Sequence, residues 1–248
     1  MKFQHTDVFN FQGALRGMRN PKESWDKSDS WFPCNSGTDC PCENCTCTEQ
    51  MEFGKSDLKL AQSLIRAGSE HRKFMRQIFV SVDITAPLYW WKEFDTYKIG
   101  TVANSTSTMH KLASTPITKD CFEMDDFENV SYEVFETGVE FEGFKEIADY
   151  KVDYAWNGTL DCLERLRQKY NETKDKKYWK ELIRLLPESW LQKRTVTMNY
   201  ENLLVMCSKG QRRNHKLTEW SKSFIEWARS LPYAQELIFI DELEDKNV

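Results

Sequence analysis

A chain of 248 residues with a formal net charge of −5 and a pI near 5.6 is a poor partner for duplex nucleic acid, whose phosphates demand a basic face. Its 40% hydrophobic and 29% charged content is that of a globular protein with a sizeable core, and its nine Trp offer large flat packing surfaces. No window reaches the roughly 20 apolar residues of a membrane span, and the opening MKFQHTDVFNFQGALRG lacks the apolar stretch of a secretory signal, so no membrane partner and a cytoplasmic location are expected.

In chain order, residues 20–55 read as a loop or insertion, with Pro21, Pro33, Pro41 and the segment CNSGTDCPCENCTC. In a reducing compartment disulfides are not expected, and the closely spaced thiolates of Cys40, Cys42, Cys45 and Cys47, beside Cys34, suit zinc. A loop of reduced thiols is the alternative, because a second, widely spaced pair is missing. Cys121, Cys162 and Cys207 stand alone and read as packing residues.

Ser56 is placed to cap a helix whose apolar face is Leu58, Ala61, Leu64 and Ile65. Ile78, Val80, Val82 and Ile84 alternate with other residues as a strand does. Pro87 suits a helical first turn, with Leu88, Trp91 and Phe94 following on one side. The polar run Thr101–Thr108 favours neither helix nor strand. Residues 121–144 hold eight acids and no Lys or Arg, which reads as a solvated face. Helical stripes return at Leu160, Leu163, Leu166 and Tyr170, then at Trp179, Leu182, Ile183 and Leu186. The last, Leu217, Trp220, Phe224, Trp227 and Leu231, ends at Pro232. The balance is a helix-rich α+β fold, an antiparallel-containing sheet flanked by helices, in one domain over 1–248 with the Cys-bearing insertion at about 20–55.

The sequence carries no Gly-x-Gly-x-x-Gly, P-loop or Gly-x-Ser-x-Gly element, and its four His (His5, His71, His110, His215) show no metal-ligand spacing. Instead, bases cluster near small hydroxyls. Arg72, Lys73 and Arg76 follow His71, Lys92 and Lys98 flank the turn into the Thr/Ser run, and Arg212, Arg213, His215 and Lys216 gather before the last stripe. Such groups can bind phosphate, although each cluster alone is also what a solvated surface looks like.

Four segments together resemble the flavin-dependent thymidylate synthases. SEHRKF (69–74) is similar to that family's Glu-His-x-x-Phe element. APLYWWKEFDTYKIGTVANSTSTM (86–109) aligns without gaps to the segment bearing Arg-His-Arg, seven residues and Ser. LPESWLQKRTVTMNYENLL (186–204) matches Leu-Pro followed by Thr-x-Asn, and RRNHKLTEW (212–220) resembles the Arg-containing ending. The likeness covers most of 56–231 and leaves out 20–55 and 121–144.

The resemblance implies an α+β homotetramer that methylates dUMP, or a related pyrimidine nucleotide, from methylenetetrahydrofolate. FAD would be the cofactor and NADPH the reductant. It implies flavin contacts at His71, Thr96, Tyr97, Lys98, Asn104 and Asn199, nucleotide contacts at Lys92, Glu93, Thr106, Ser107, Thr108 and Arg184, and the uracil-orienting arginine at Arg212 or Arg213. Here Thr96, Tyr97 and Lys98 stand where the family has Arg-His-Arg, and Thr108 stands where it has a phosphate-binding Arg. The same scaffold kept as a non-catalytic nucleotide-binding or assembly protein is therefore the alternative.

Overall fold

The computed structural model describes residues 1–31, 51–125, 131–132, 150–210 and 212–245. The chain runs β1 (Lys2–Phe9), α1 (Phe11–Arg19), α2 (Lys55–Arg66), β2 (Phe79–Pro87), α3 (Leu88–Phe94), β3 (Val102–Ser105) and α4 (Thr108–Lys111). It continues with β4 (Ser131–Tyr132), β5 (Tyr150–Lys151), α5 (Val152–Thr173), α6 (Lys176–Leu185), β6 (Leu191–Asn199) and α7 (Tyr200–Met206). It ends in α8 (Ile225–Arg229), α9 (Ala234–Leu237) and α10 (Asp241–Asp245), with a wide π-type turn at Glu219–Phe224 leading into α8. The fold is helix-rich α+β, built on a four-stranded antiparallel sheet of order β1-β2-β6-β3.

The alternation of β2 sets the two faces of this sheet. Val80, Val82, Ile84 and Ala86 are fully buried, while Phe79, Ser81, Asp83 and Thr85 stay partly exposed, the period-two pattern of a half-covered strand. On the open face Asp83 accepts from Thr195 Oγ1 (2.6 Å) and pairs with Lys193 Nζ (2.8 Å), so β2 and β6 are joined by side chains as well as backbone. β1 pairs antiparallel with β2, from Lys2 opposite Thr85 to Phe9 opposite Phe79, with a shift between Gln4 and Asp7. His5 takes a left-handed φ of 52° at that bulge.

Contacts divide the chain into two compact units, Met1–Thr85 with Trp90–Asn104 and Lys193–Val248, and Ala86–Tyr89 with Ser105–Gln192. The core of the first collects Val80, Val82, Ile84, Val196 and Met198 with Trp90, Trp91, Phe94, Trp220 and Phe224. The second is a smaller core of Leu112, Ile117, Phe122, Leu163 and Leu182, flanked by Trp156, Leu166 and Trp190. There Glu164 accepts from the Ile117 N–H (2.9 Å), Gln168 (3.0 Å) and both arms of Arg167 (2.7 and 2.6 Å). The Arg167 guanidinium, chief among these, holds its carboxyl at about 2.

Several elements differ from the sequence expectation. α2 begins two residues earlier, capped at Gly54, because Ser56 is occupied elsewhere: its N–H reaches Asp29 (2.8 Å) and its hydroxyl receives Arg19 Nη2 (3.2 Å). On α3 it is Trp90, not Leu88, that joins Trp91 and Phe94 in the core. The polar run contains the short strand β3, because a neighbouring strand can supply hydrogen bonds that the run's own propensity does not. Cys207 is fully buried and its thiol pushed up by burial, a packing residue as expected, whereas Cys162 is exposed on α5. The acidic segment lies mostly outside the described residues.

A buried ion pair locks the start of the first unit. Arg19, 4% exposed, donates Nε to Asp57 Oδ1 at 2.6 Å, and Asp57 is wholly buried. Ser28 Oγ and Ser30 Oγ each donate to its other oxygen at 2.6 Å. Burial alone would raise the Asp57 pKa, but the Ser28, Ser30 and Arg19 hydrogen bonds outweigh it and hold it down. Removing one partner strands a buried charge, so Asp57→Ala is expected to lose about 3–5 kcal/mol in urea denaturation followed by Trp fluorescence. Because the folded pKa is depressed, the stabilisation is complete above roughly pH 4 and disappears as the pH falls through the folded value. A loss below about 1 kcal/mol would mean that the network is incidental.

Candidate functional site

The segment that follows α3 is organised by aromatic packing. Trp90 stacks on Phe94 (5.2 Å between centroids) and meets Trp220 (5.3 Å) and Phe224 (5.7 Å). These contacts fix the rotation of α3, so Lys92 is exposed and Glu93 half-exposed on the helix. Thr96 ends the helix by donating Oγ1 to the Glu93 carbonyl (2.8 Å). One residue on, the Tyr97 ring stacks on Trp220 (5.7 Å).

Arg212 completes this group. Its guanidinium lies 4.9 Å from the Tyr97 centroid and 5.6 Å from that of Trp220, cation–π contacts on both. Its Nη1 donates to Glu93 Oε1. His215 Nε2 is 3.9 Å from the same carboxylate oxygen, while its Nδ1 accepts the Leu217 N–H at 3.1 Å. That bond leaves Nε2 to carry the ring proton on the side facing Glu93. The Tyr97 hydroxyl oxygen is buried without a hydrogen-bond partner of ordinary geometry. Burial raises its pKa ahead of the opposing influence of Arg212, so the ring stays neutral.

Beyond Tyr97 the chain turns through Gly100 at φ 79°. A side chain there would be strained, and its Cβ would come within 2.8 Å of Asn199 Nδ2 and 2.9 Å of Asn202 Oδ1. Asn202 donates to the Ile99 carbonyl (2.7 Å) and forms a reciprocal capping box with Asn199 at the start of α7. Asn199 is buried, and its side-chain oxygen accepts the Asn202 N–H (3.0 Å) at the start of that helix. Lys98 and Asn104 are exposed.

The other expected residues are distributed more widely. Arg213 takes no part in the Glu93 cluster. It donates to the Cys207 carbonyl (2.8 Å), to Glu242 (2.7 Å) and to Asp241, and rests on the Phe239 ring (5.2 Å). That makes it a clamp on the C-terminal helices and leaves Arg212 as the arginine at the candidate site. His71 is exposed in the turn after α2. Its neighbours Arg72 and Arg76 both close on Glu201. Burial raises the Glu201 pKa, but these two arginines overcome it and hold the group ionised.

Thr106, Ser107, Thr108 and Arg184 belong to the second unit. Arg184 is exposed on α6 and pairs with Glu181 (2.5 Å). Ser107 caps α4 by accepting the His110 N–H (3.2 Å). Gln192, a residue that sequence patterning did not single out, reaches both the Thr106 carbonyl and the Thr108 hydroxyl. Trp220, read from its spacing only as core, is the platform beneath Tyr97 and Arg212. Among the described residues no group of three or more His, Cys, Asp or Glu is placed to hold a metal ion; Cys40, Cys42, Cys45 and Cys47 lie outside them. No helix of the described residues is long and apolar enough to cross a membrane.

The fold has clear relatives among solved structures. It superposes on flavin-dependent thymidylate synthase ThyX from Helicobacter pylori complexed with FAD and dUMP, with a TM-score of 0.60 and 15% identity over 97% of this chain and 99% of that one. A second structure of Helicobacter pylori ThyX with FAD and dUMP gives 0.59 and 16% over 97% and 98%. No protein-family model and no curated protein matches the sequence. The chain therefore has the fold of the flavin-dependent thymidylate synthases, as its four motifs led one to expect.

The division of labour between the two adjacent arginines is measurable. Arg213→Gln is expected to cost about 2–3 kcal/mol of stability, having lost charge-assisted bonds in a mostly buried setting. Arg212→Gln, whose ion pair is more open to water, is expected to cost about 1 kcal/mol. Thermal denaturation of the two variants side by side checks this, and equal costs would refute the assignment.

Proposed function

We propose that the chain is a divergent flavin-dependent thymidylate synthase-like protein that methylates dUMP, or a related pyrimidine nucleotide, using methylenetetrahydrofolate, FAD and NADPH. The observation that carries this reading is the fold likeness over nearly the whole chain to an enzyme that holds FAD and dUMP. It is supported by the gathering of Glu93, Tyr97 and Arg212 next to the segment that the motif alignment puts at the cofactor.

The residues present suit a flavin. Ile99 and Val102, 89% and 67% exposed, offer apolar surface of the kind an isoalloxazine ring covers. β3 lies at the end of the sheet order with all four residues exposed, which leaves backbone donors and acceptors along its outer edge. Lys98 and Asn104 add an exposed cation and an amide. Bound there, FAD would supply the reducing equivalents. His71, Thr96, Tyr97, Lys98, Asn104 and Asn199 are the residues proposed to hold it. Lys92, Glu93, Arg184 and Thr106–Thr108 are proposed to hold the nucleotide, and Arg212 to orient its base and stabilise charge developing on it. A homotetramer in the cytoplasm is part of the same proposal.

One observation favours a second reading, a non-catalytic nucleotide-binding or assembly protein. Arg212 is already neutralised by Glu93 and stacked on two rings, and no arginine stands at 96, 98 or 108. Two measurements separate the readings. The protein should be yellow as isolated or take up added FAD, and it should release tritium from C5-labelled dUMP in the presence of NADPH and the folate. A protein that never binds flavin sinks the first reading, while one that binds dUMP but releases no tritium under any reductant establishes the second.

The Cys segment is proposed to bind one zinc ion through Cys40, Cys42, Cys45 and Cys47. Metal analysis of the purified chain is expected to return about one equivalent, falling away in the Cys40→Ser/Cys45→Ser double variant. Less than about half an equivalent in the unmodified chain refutes it.

A further inference from the structure

The run Thr106–Thr108 is held by one buried carboxamide. Gln192 is 8% exposed, and its Nε2 donates to the Thr106 carbonyl at 3.0 Å and to Thr108 Oγ1 at 3.3 Å. The carbonyl can only accept, which settles that the amide nitrogen and not the oxygen faces the run. The second N–H of that nitrogen then points at Thr108, whose hydroxyl must act as acceptor.

This has a consequence for polarity. A hydroxyl has a single proton to donate. Thr108 Oγ1 receives Gln192, so its own proton turns away from that partner. Ser107 Oγ receives the His110 N–H (3.2 Å) and is in the same state. Both residues are partly exposed, and among the described residues neither hydroxyl has an acceptor. The backbone just beyond is anchored as well, with Trp179 Nε1 on the Met109 carbonyl (3.1 Å) and Asn171 Nδ2 on the Ala113 carbonyl (2.8 Å). Each hydroxyl therefore keeps its proton for a further partner, which a group rich in acceptor oxygens can supply.

We propose that Gln192 is a positioning residue that fixes the Thr108 hydroxyl, beside that of Ser107, as a donor to the phosphate of the bound nucleotide. The inference rests on the nucleotide reading given above. It assigns to Gln192 a role in phosphate selectivity exerted through its hydrogen bonds to Thr106 and Thr108.

The test is calorimetric titration of the full chain with dUMP and, separately, with deoxyuridine, which lacks only the phosphate. Gln192→Met removes the clamp without adding charge, and Thr108→Val removes the hydroxyl itself in a nearly isosteric change. Each is expected to weaken dUMP binding about 10- to 100-fold and deoxyuridine binding by about twofold or less. Thr108→Ser, which keeps the hydroxyl, should stay within about threefold of the unmodified chain for both. A merely structural role would weaken both ligands alike. That result, unchanged dUMP binding in the Met and Val variants, or an unmodified chain that prefers dUMP no more than deoxyuridine overturns the proposal. Phosphate selectivity that depends on Gln192 in a protein without flavin uptake would instead support it and sink only the enzyme reading.

Discussion

Burial of Trp90, Trp91 and Phe94 is the constraint on which the candidate site depends. Three large rings within five residues cannot all leave water unless α3 takes one rotation about its axis, and Trp220 and Phe224 supply the surface that receives Trp90. Fully burying each such side chain contributes about 2–3 kcal/mol, far more than any polar contact at the site can return. The polar groups therefore take the positions the rings leave to them. Glu93 emerges half-exposed, Tyr97 lands on Trp220, and Arg212 finds two aromatic faces and a carboxylate at once. The site is a by-product of core packing, rigid for the same reason the core is.

Periodicity made the backbone of this plan legible, and contact chemistry remained hidden. The alternation at 78–84 reads directly as β2, and the stripes at 160–170 and 179–186 as α5 and α6, because one buried face repeats at the period of the element. β1 was not visible: KFQHTDVF offers little apolar alternation, and its place in the sheet comes from pairing with β2 around a bulge at His5. β3, within a run that favours neither helix nor strand, escapes notice for a related reason, since an exposed four-residue edge strand buries nothing and leaves no pattern. At the site, the motif resemblance brought Glu93, Tyr97 and Arg212 to notice without showing that they touch. It could not separate Arg212 from Arg213, because adjacent residues look alike until Asp241 and Glu242 are seen to claim one of them.

The distribution of cations also reverses a first impression. Arginine clusters at 72–76 and 212–213 look in sequence like ready-made anion sites. In the fold most of them are internally neutralised: Arg72 and Arg76 by Glu201, Arg213 by Asp241 and Glu242, and Arg212 by Glu93. Such pairs order the structure, and each must be broken before its arginine can serve a ligand fully. An anion entering this protein therefore meets fewer available guanidinium groups than the count of arginines suggests.

Besides exposed lysines such as Lys98, what remains to meet it is the hydroxyls of Ser107 and Thr108. A guanidinium attracts an anion over several ångströms whatever its exact direction, whereas a hydroxyl binds only when its proton already points the right way. Under the proposed nucleotide reading, a buried carboxamide behind Thr108 supplies by preorganisation part of what a guanidinium would supply by charge. The Thr/Ser run looks unstructured in sequence because its order is imposed by Gln192, 84 residues from Thr108, and by the His110 N–H.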